Sequence, residues 1–309
     1  MMLTFLSLCA MVYHKKSIVD STPGVKTMQT PNGLAVSPRD IHFATDQAHG
    51  RAWMAGDPVA TAVFNALSLT FPDGERLFMD AVRNYRSNLS GKLLEDAKGF
   101  IAQEAIHTRE HVGLNAGLDR SHYPIDEIEA DIKGRLTFLR TRGRVAMLGV
   151  TIAMEHFTAM MADLFLEEPE FWDGVPEDLA RLWQWHAMEE TEHKAVAFDV
   201  FQEISKNWKP SQRYGLRVRI MLIMTVMFVS NITKFSSMLL IADGMKPWKA
   251  KLSVLGYLLG KPGLFRKSWK SYWDWFRPGF HPWHQDNSAT LKAWQERFTV
   301  IIPEAVAAE

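Results

Sequence analysis

Several things are scarce in this 309-residue chain. It has one cysteine, Cys9, six tyrosines and no net charge, with 35 basic and 35 acidic side chains. A lone cysteine excludes an internal disulfide and a cysteine-held zinc or iron–sulfur site, so any metal must be held by histidines and carboxylates. The same scarcity points to a reducing compartment. No window alternates apolar and polar residues over the length of a strand, which argues against a β-rich architecture. Long hydrophobic runs are also missing. A long uncharged stretch, Ile220 to Thr233, has 14 residues, short of the ~20 that a spanning helix needs, and is expected to be a buried or interfacial helix. Met1–Tyr13 is apolar but has no basic segment before it; Lys15 and Lys16 follow instead, which is not a secretory pattern. A translation start at Met28 is the alternative.

What is present is unevenly placed. Between Lys206 and Gln285 there are 14 Lys and Arg but only Asp243 and Asp274 as acids, which leaves 21 basic against 33 acidic residues elsewhere. A neutral sum therefore hides a polarised chain. Six of the 11 tryptophans also follow residue 243. The basic, aromatic segment has two readings: Trp269, Trp273 and Phe276 recur at helical spacing, as in a helix packed on the rest of the protein, or the segment rests on an anionic membrane surface. No nucleic-acid module accompanies the charge, so nucleic acid is not an expected partner.

Helical periodicity runs from about residue 58 to 205. Pro72 and Gly74 start or bend a first helix that continues through Arg76–Tyr85. Ser90 is placed to cap a second, ended by Gly117. A third spans about Val145 to Glu168, and Pro176 opens a fourth that continues to about Ser205. With a partly helical connection over 118–144, the pattern predicts an all-α fold, a four-helix bundle with a crossover. Further helices are expected at about 211–242, 246–259 and 264–277. The division expected is a poorly ordered or mis-assigned extension over 1–35, a metal-binding bundle over 36–205 and a basic, Trp-rich helical extension over 206–309.

The chemistry-bearing residues repeat across these helices. Glu104 and His107 on the second, and Glu190 and His193 on the fourth, are Glu-x-x-His pairs, and residues three apart share a helical face. Glu75 lies on the first helix. Glu155 sits in the third among apolar residues, where a buried carboxylate without a partner would cost several kcal/mol. Carboxylate helix, Glu-x-x-His helix, carboxylate helix, Glu-x-x-His helix is the order of di-iron carboxylate bundles. His186 lies four residues before Glu190 and seven before His193, on the same face. His111, one turn after His107, is placed to orient a ligand. His156, Glu110, Glu189 and Glu192 fall off the proposed face or compete with it.

Over about residues 60–205 the chain resembles the ferritin-like di-iron superfamily. The His-x-x-x-Glu-x-x-His pattern is similar to the three-histidine site of di-iron arylamine N-oxygenases, which implies His186 as a ligand. The segments FPDGE (71–75), FIAQEAIHTREH (100–111), AMEH (153–156), WHAMEETEHKAVAFD (185–199) and FHPWH (280–284) resemble a bacterial family catalogued as predicted metal-dependent hydrolases. The resemblance implies that Glu75, Glu104 and His107 hold one metal and Glu155, His186, Glu190 and His193 the other, with Glu104 and Glu190 as bridges. Two irons are expected, with Mn or Zn as alternatives. The leading expectation is an O₂-dependent oxidoreductase that hydroxylates, desaturates or N-oxygenates an apolar or lipid-like substrate, with an electron-donating reductase as partner. A dinuclear metal-dependent hydrolase is the alternative, and a ferroxidase or iron-binding protein the third. The protein is expected in the cytoplasm, with peripheral membrane association and a homodimer left open.

Overall fold

A computed structural model describes residues 30–299, apart from 32, 48, 261 and 262. Most of the expected N-terminal extension, through residue 29, lies outside the described residues. The described chain contains no strand and is built of helices: α1 Pro58–Arg83, α2 Gly91–Ala116, α3 Ile125–Arg140, α4 Arg144–Glu167, α5 Glu177–His193, α6 Val196–Ile204, α7 Pro210–Ala242, α8 Pro247–Leu259, α9 Leu264–Lys267, α10 Trp269–Asp274 and α11 Ser288–Thr299. The all-α expectation holds.

α1, α2, α4 and α5 form the bundle: α1 packs on α2, α4 on α5, and the two pairs meet where α1 touches α4 and α2 touches α5. α3 supplies the crossover and lies against α1 and α4, while α7 covers α1 and α4. Among the described residues, two helices are long and apolar enough to cross a membrane, α4 and α7, but 78% of the apolar window of α4 is buried in the protein against 28% for α7. α4 is therefore a core helix. The 14-residue run read from the sequence is the middle of the 33-residue α7, about 50 Å long.

Several helix limits differ from the sequence reading. α1 does not start at Pro72. It begins at Pro58, capped by Asp57, whose side chain accepts from the Val59 and Ala60 N–H groups, and it runs through Pro72 without stopping. Proline lacks the N–H that would bond the Ser68 carbonyl, and the Asn115 side-chain amide donates to that oxygen at 3.0 Å instead. Ser90 stands at the N-cap of α2 but makes no side-chain cap bond. Gly117 ends α2 in a right-handed conformation; a Cβ there would collide with the Gln47 carbonyl and the His49 ring, so close approach explains the glycine. The fourth helix breaks at Lys194–Ala195 into α5 and α6. The buried Lys194 ammonium leaves the bundle, donating to the Gln285 carbonyl at 2.8 Å and Asn287 Oδ1 at 2.7 Å and lying 4.0 Å over the Trp283 ring. The helix expected over 264–277 is split at Ser268, and α11 was not anticipated.

Candidate metal centre

The four bundle helices bring all seven sequence-derived candidates to one place. Glu75 from α1, Glu104 and His107 from α2, Glu155 from α4, and His186, Glu190 and His193 from α5 are each no more than 4% exposed. Their donor atoms fall into three overlapping groups, each within 4.8 Å: Glu75, His107 and His186; Glu104, Glu155 and His193; Glu104, His107 and Glu190. Glu104 and Glu190 occupy the middle. The division differs from the expected one, because His186 joins Glu75 and His107 while Glu104 joins Glu155 and His193. The cause is in the helix itself: seven residues rise about 10 Å, so His186 and His193 cannot serve the same end of the cluster.

The histidines are held by a buried network that fixes which nitrogen faces inward. Gln103 donates its amide to Glu192 Oε1 at 3.0 Å and to the Ser37 carbonyl at 3.2 Å, so its oxygen accepts from His193 Nδ1–H at 2.9 Å. His193 Nε2 is left facing Glu104 at 3.3 Å and Glu155 at 3.5 Å. His107 Nε2 donates to Glu189 at 3.0 Å, leaving Nδ1 toward Glu190. Ser68 donates to Asn115 Oδ1 at 2.7 Å and accepts from His111 Nδ1–H at 2.9 Å. His111 Nε2 then accepts from His186 Nδ1–H at 2.6 Å, and His186 Nε2 faces Glu190 at 2.9 Å. His111 therefore touches His186, not the cluster's centre, and sets its proton.

Three carboxylates set aside in the sequence reading, Glu189, Glu192 and Glu110, belong to this support. Arg39 pairs with Glu189 at 3.1 Å and Glu192 at 2.8 Å, and the Ser37 N–H donates to Glu192 at 2.6 Å. Glu110 accepts from the Phe43 N–H at 2.9 Å and from Arg109 at 2.7 Å. The chain around residues 37–43 thus straps the outside of α2 and α5. His156 lies apart, bonded to the Ser271 carbonyl at 3.1 Å. The signal available for Glu189 and Glu192 was the sequence around them: a helix with tryptophans beside both faces buries all round and must pair every acid it carries.

Aromatic rings close the cluster from water. Phe71 meets His186 and His111 edge or tilt-on at 5.0 and 4.7 Å, Phe100 meets His193 at 4.9 Å, and Trp185 stands perpendicular to His107 at 4.8 Å. Burial raises Glu75, Glu104 and Glu155 well above the ordinary carboxyl range, with the neighbouring Glu190 charge adding to the rise. Burial would lift Glu190 too, but His193 and His186 beside it hold it well below. Burial, with the His186 ring close by, pushes His107 and His111 well below the usual imidazole range. This is an assembly of acids and neutral imidazoles that lacks positive charge.

The fit to metal is testable on the orphaned atoms. Glu75 Oε1, both oxygens of Glu104 and Glu155, Glu190 Oε2, His107 Nδ1 and His193 Nε2 are buried without a hydrogen-bond partner, though such groups normally find one. They converge on shared space. Four ionised carboxylates with three neutral imidazoles carry the charge that two divalent ions cancel, and oxygen with imidazole nitrogen is a donor set that first-row divalent metals accept.

The model of a protein family described as "Predicted metal-dependent hydrolase" matches residues 37–286. No curated protein and no solved structure matches the chain.

Proposed function

The chain belongs to the family of predicted metal-dependent hydrolases, and from the buried carboxylate and imidazole cluster in its helical bundle we propose that it is a dinuclear metal-dependent hydrolase. The observation that carries this reading is the convergence of unpartnered donors on one space. Each such group, left unsatisfied, costs on the order of 1–3 kcal/mol, and cations remove that cost. Glu75, His107 and His186 would hold one ion and Glu104, Glu155 and His193 the other, with Glu190 in reach of both groups. Two ions bound there would supply Lewis-acid polarisation of a scissile ester or phosphate and acidification of a water.

The remaining work falls to the chain. Gln103, Glu189 and His111 keep the three imidazoles in the tautomers that face inward. Thr108 donates to Glu75 Oε2 at 2.8 Å, which orients the other oxygen to the cluster. Phe71, Phe100 and Trp185 exclude bulk water, so charges in the site act at low dielectric.

A second reading, an O₂-dependent di-iron oxidoreductase, is favoured by one observation: the site borders a large apolar cavity suited to a substrate with little to hydrolyse. It needs electrons from a reductase, for which the exposed cations of the C-terminal segment would provide a dock. The two readings separate cleanly. Chelated protein reloaded with Zn²⁺ or Mn²⁺ should take up about two ions per chain and cleave p-nitrophenyl esters equally well under argon and in air. Turnover that requires iron, O₂ and an added reductant would overturn the hydrolytic reading in favour of the second.

A further inference from the structure

A cavity of about 430 Å³ lies between α1, α3, α4 and α7, within the roughly 300–1,000 Å³ typical of small-molecule sites. Its lining is dominated by aliphatic, aromatic and methionine side chains, among them Phe78, Leu136, Ile223 and Met227. Glu75 is common to this lining and to the metal cluster. Thr158 and Phe71 are shared with a narrower cleft that touches His186 and Glu190. The cavity therefore borders one end of the candidate metal centre. Its other end is open: Phe138 on α3 lines it and is 40% exposed, whereas Glu75 is 2% exposed.

Shape and polarity restrict what fits. Ala146, Val150, Met154 and Thr158 recur every four residues along α4, a stripe of one helical face about 18 Å long. Spread over that length, the volume suits one extended chain better than a broad ring system. The charged groups near the mouth are already engaged, Arg135 with Asp131 at 3.0 Å and Asp131 with Lys234 at 2.9 Å. A ligand with many polar atoms would leave them unpaired against this wall. Methionines, flexible and unbranched, let the wall follow a chain of variable bend.

We propose that this cavity binds an unbranched hydrocarbon chain, with its reactive end at Glu75 and its tail toward Phe138, so that the substrate is an ester of a long-chain aliphatic acid. The assignment of the ester rests on the hydrolytic reading above; the assignment of the chain rests on the cavity. In the reaction the acyl C–O bond breaks, the oxygen of water joins the acyl carbon, and a proton passes to the leaving alcohol.

The test uses the full chain and measures binding separately from turnover. cis-Parinaric acid, whose fluorescence rises in an apolar site, should bind saturably at one site per chain, with laurate competing and butyrate not. Ala146→Trp and Met227→Trp fill the cavity from opposite walls, and each should weaken binding by about tenfold or more while metal content and circular dichroism stay those of the parent. In the loaded enzyme, p-nitrophenyl ester hydrolysis should favour long acyl chains, and either variant should move the preference to short ones. Absence of saturable parinarate binding, or binding unchanged in both folded variants, overturns the chain site even if short esters are cleaved. Saturable binding that both variants weaken, with no ester cleaved at any length, upholds the chain site and refutes the hydrolytic reading instead.

Discussion

At the residue scale, five of the candidate ligands, Glu104, His107, His186, Glu190 and His193, were legible because each has a partner three, four or seven residues away on its own helix, whereas Glu75 and Glu155 were legible from the alternation of carboxylate helices with Glu-x-x-His helices. The supports of these ligands were not, because Arg39, Ser37 and Gln103 reach Glu189, Glu192 and His193 across 89 to 155 residues of sequence. Those supports carry a prediction. Glu189 accepts the His107 proton, and burial pushes its carboxyl up to about 8 while Arg39 opposes the rise. Glu189→Ala leaves His107 free to turn and should weaken metal affinity by about 10–100-fold, read by competition with a chromophoric chelator; Glu189→Gln, which still offers an acceptor oxygen, should lose less. A second prediction follows from burial. Glu75, Glu104 and Glu155 have folded pKa values above their unfolded ones, so the metal-free fold binds extra protons and loses stability as pH rises above the ordinary carboxyl range of about 4.3. Metal requires the ionised form, so its binding strengthens as pH rises. Below about pH 6.5 the lowered pKa values of His107 and His111 act in the opposite sense, so the melting temperature of chelated protein should fall from about pH 7 to about pH 8 while that of loaded protein does not, and calorimetry in buffers of different ionisation heat should show protons released on loading.

At the element scale, helix existence was readable from period and punctuation, but helix limits were not always. Pro72 looked like a start because an interior proline removes a backbone bond; only the tertiary contact from Asn115 to the freed Ser68 carbonyl makes the continuous α1 tolerable. The break after His193 has no proline or glycine to announce it. The strap over residues 37–43 had no periodicity at all, and it is positioned by a glycine. Gly99 in α2 faces Val36, and a Cβ there would collide with the Val36 backbone carbonyl. Alanine would favour the helix by about 1 kcal/mol, yet a backbone carbonyl cannot rotate aside, and overpacking of this kind costs about 1–3 kcal/mol. Gly99→Ala should therefore be destabilising on balance. It should also loosen the bonds from Ser37 to Glu192 and Gln103, exposing the strap to protease sooner than the bundle helices; equal cleavage rates in parent and variant would refute this.

At the scale of the whole molecule, the opposed charges of the two chain segments raise the question of what holds α7 and its successors to the bundle. Attraction between a basic segment and an acidic bundle is the obvious candidate, and Lys234 does pair with Asp131 and Lys267 with Glu168. Both pairs are substantially solvent-exposed, however, and exposed pairs contribute only about 0–1 kcal/mol each. Against them stand Phe228, Ile232, Phe235, Leu239 and Leu240 on the inner face of α7, none more than 6% exposed, each contributing about 1.5–3 kcal/mol when buried. Apolar packing therefore exceeds the ion pairs several-fold, and the charge polarity is a property of the surface and not the adhesive. The consequence is measurable. Raising NaCl to 1 M, where screening reaches to about 3 Å, should shift the melting temperature by no more than about 2–4 °C. Phe235→Ala, which empties a fully buried site at the α7 face, should cost about 3–5 kcal/mol and lower it by roughly 6 °C or more. A protein whose α7 segment becomes protease-sensitive in high salt, with Phe235→Ala nearly neutral, would reverse that ranking.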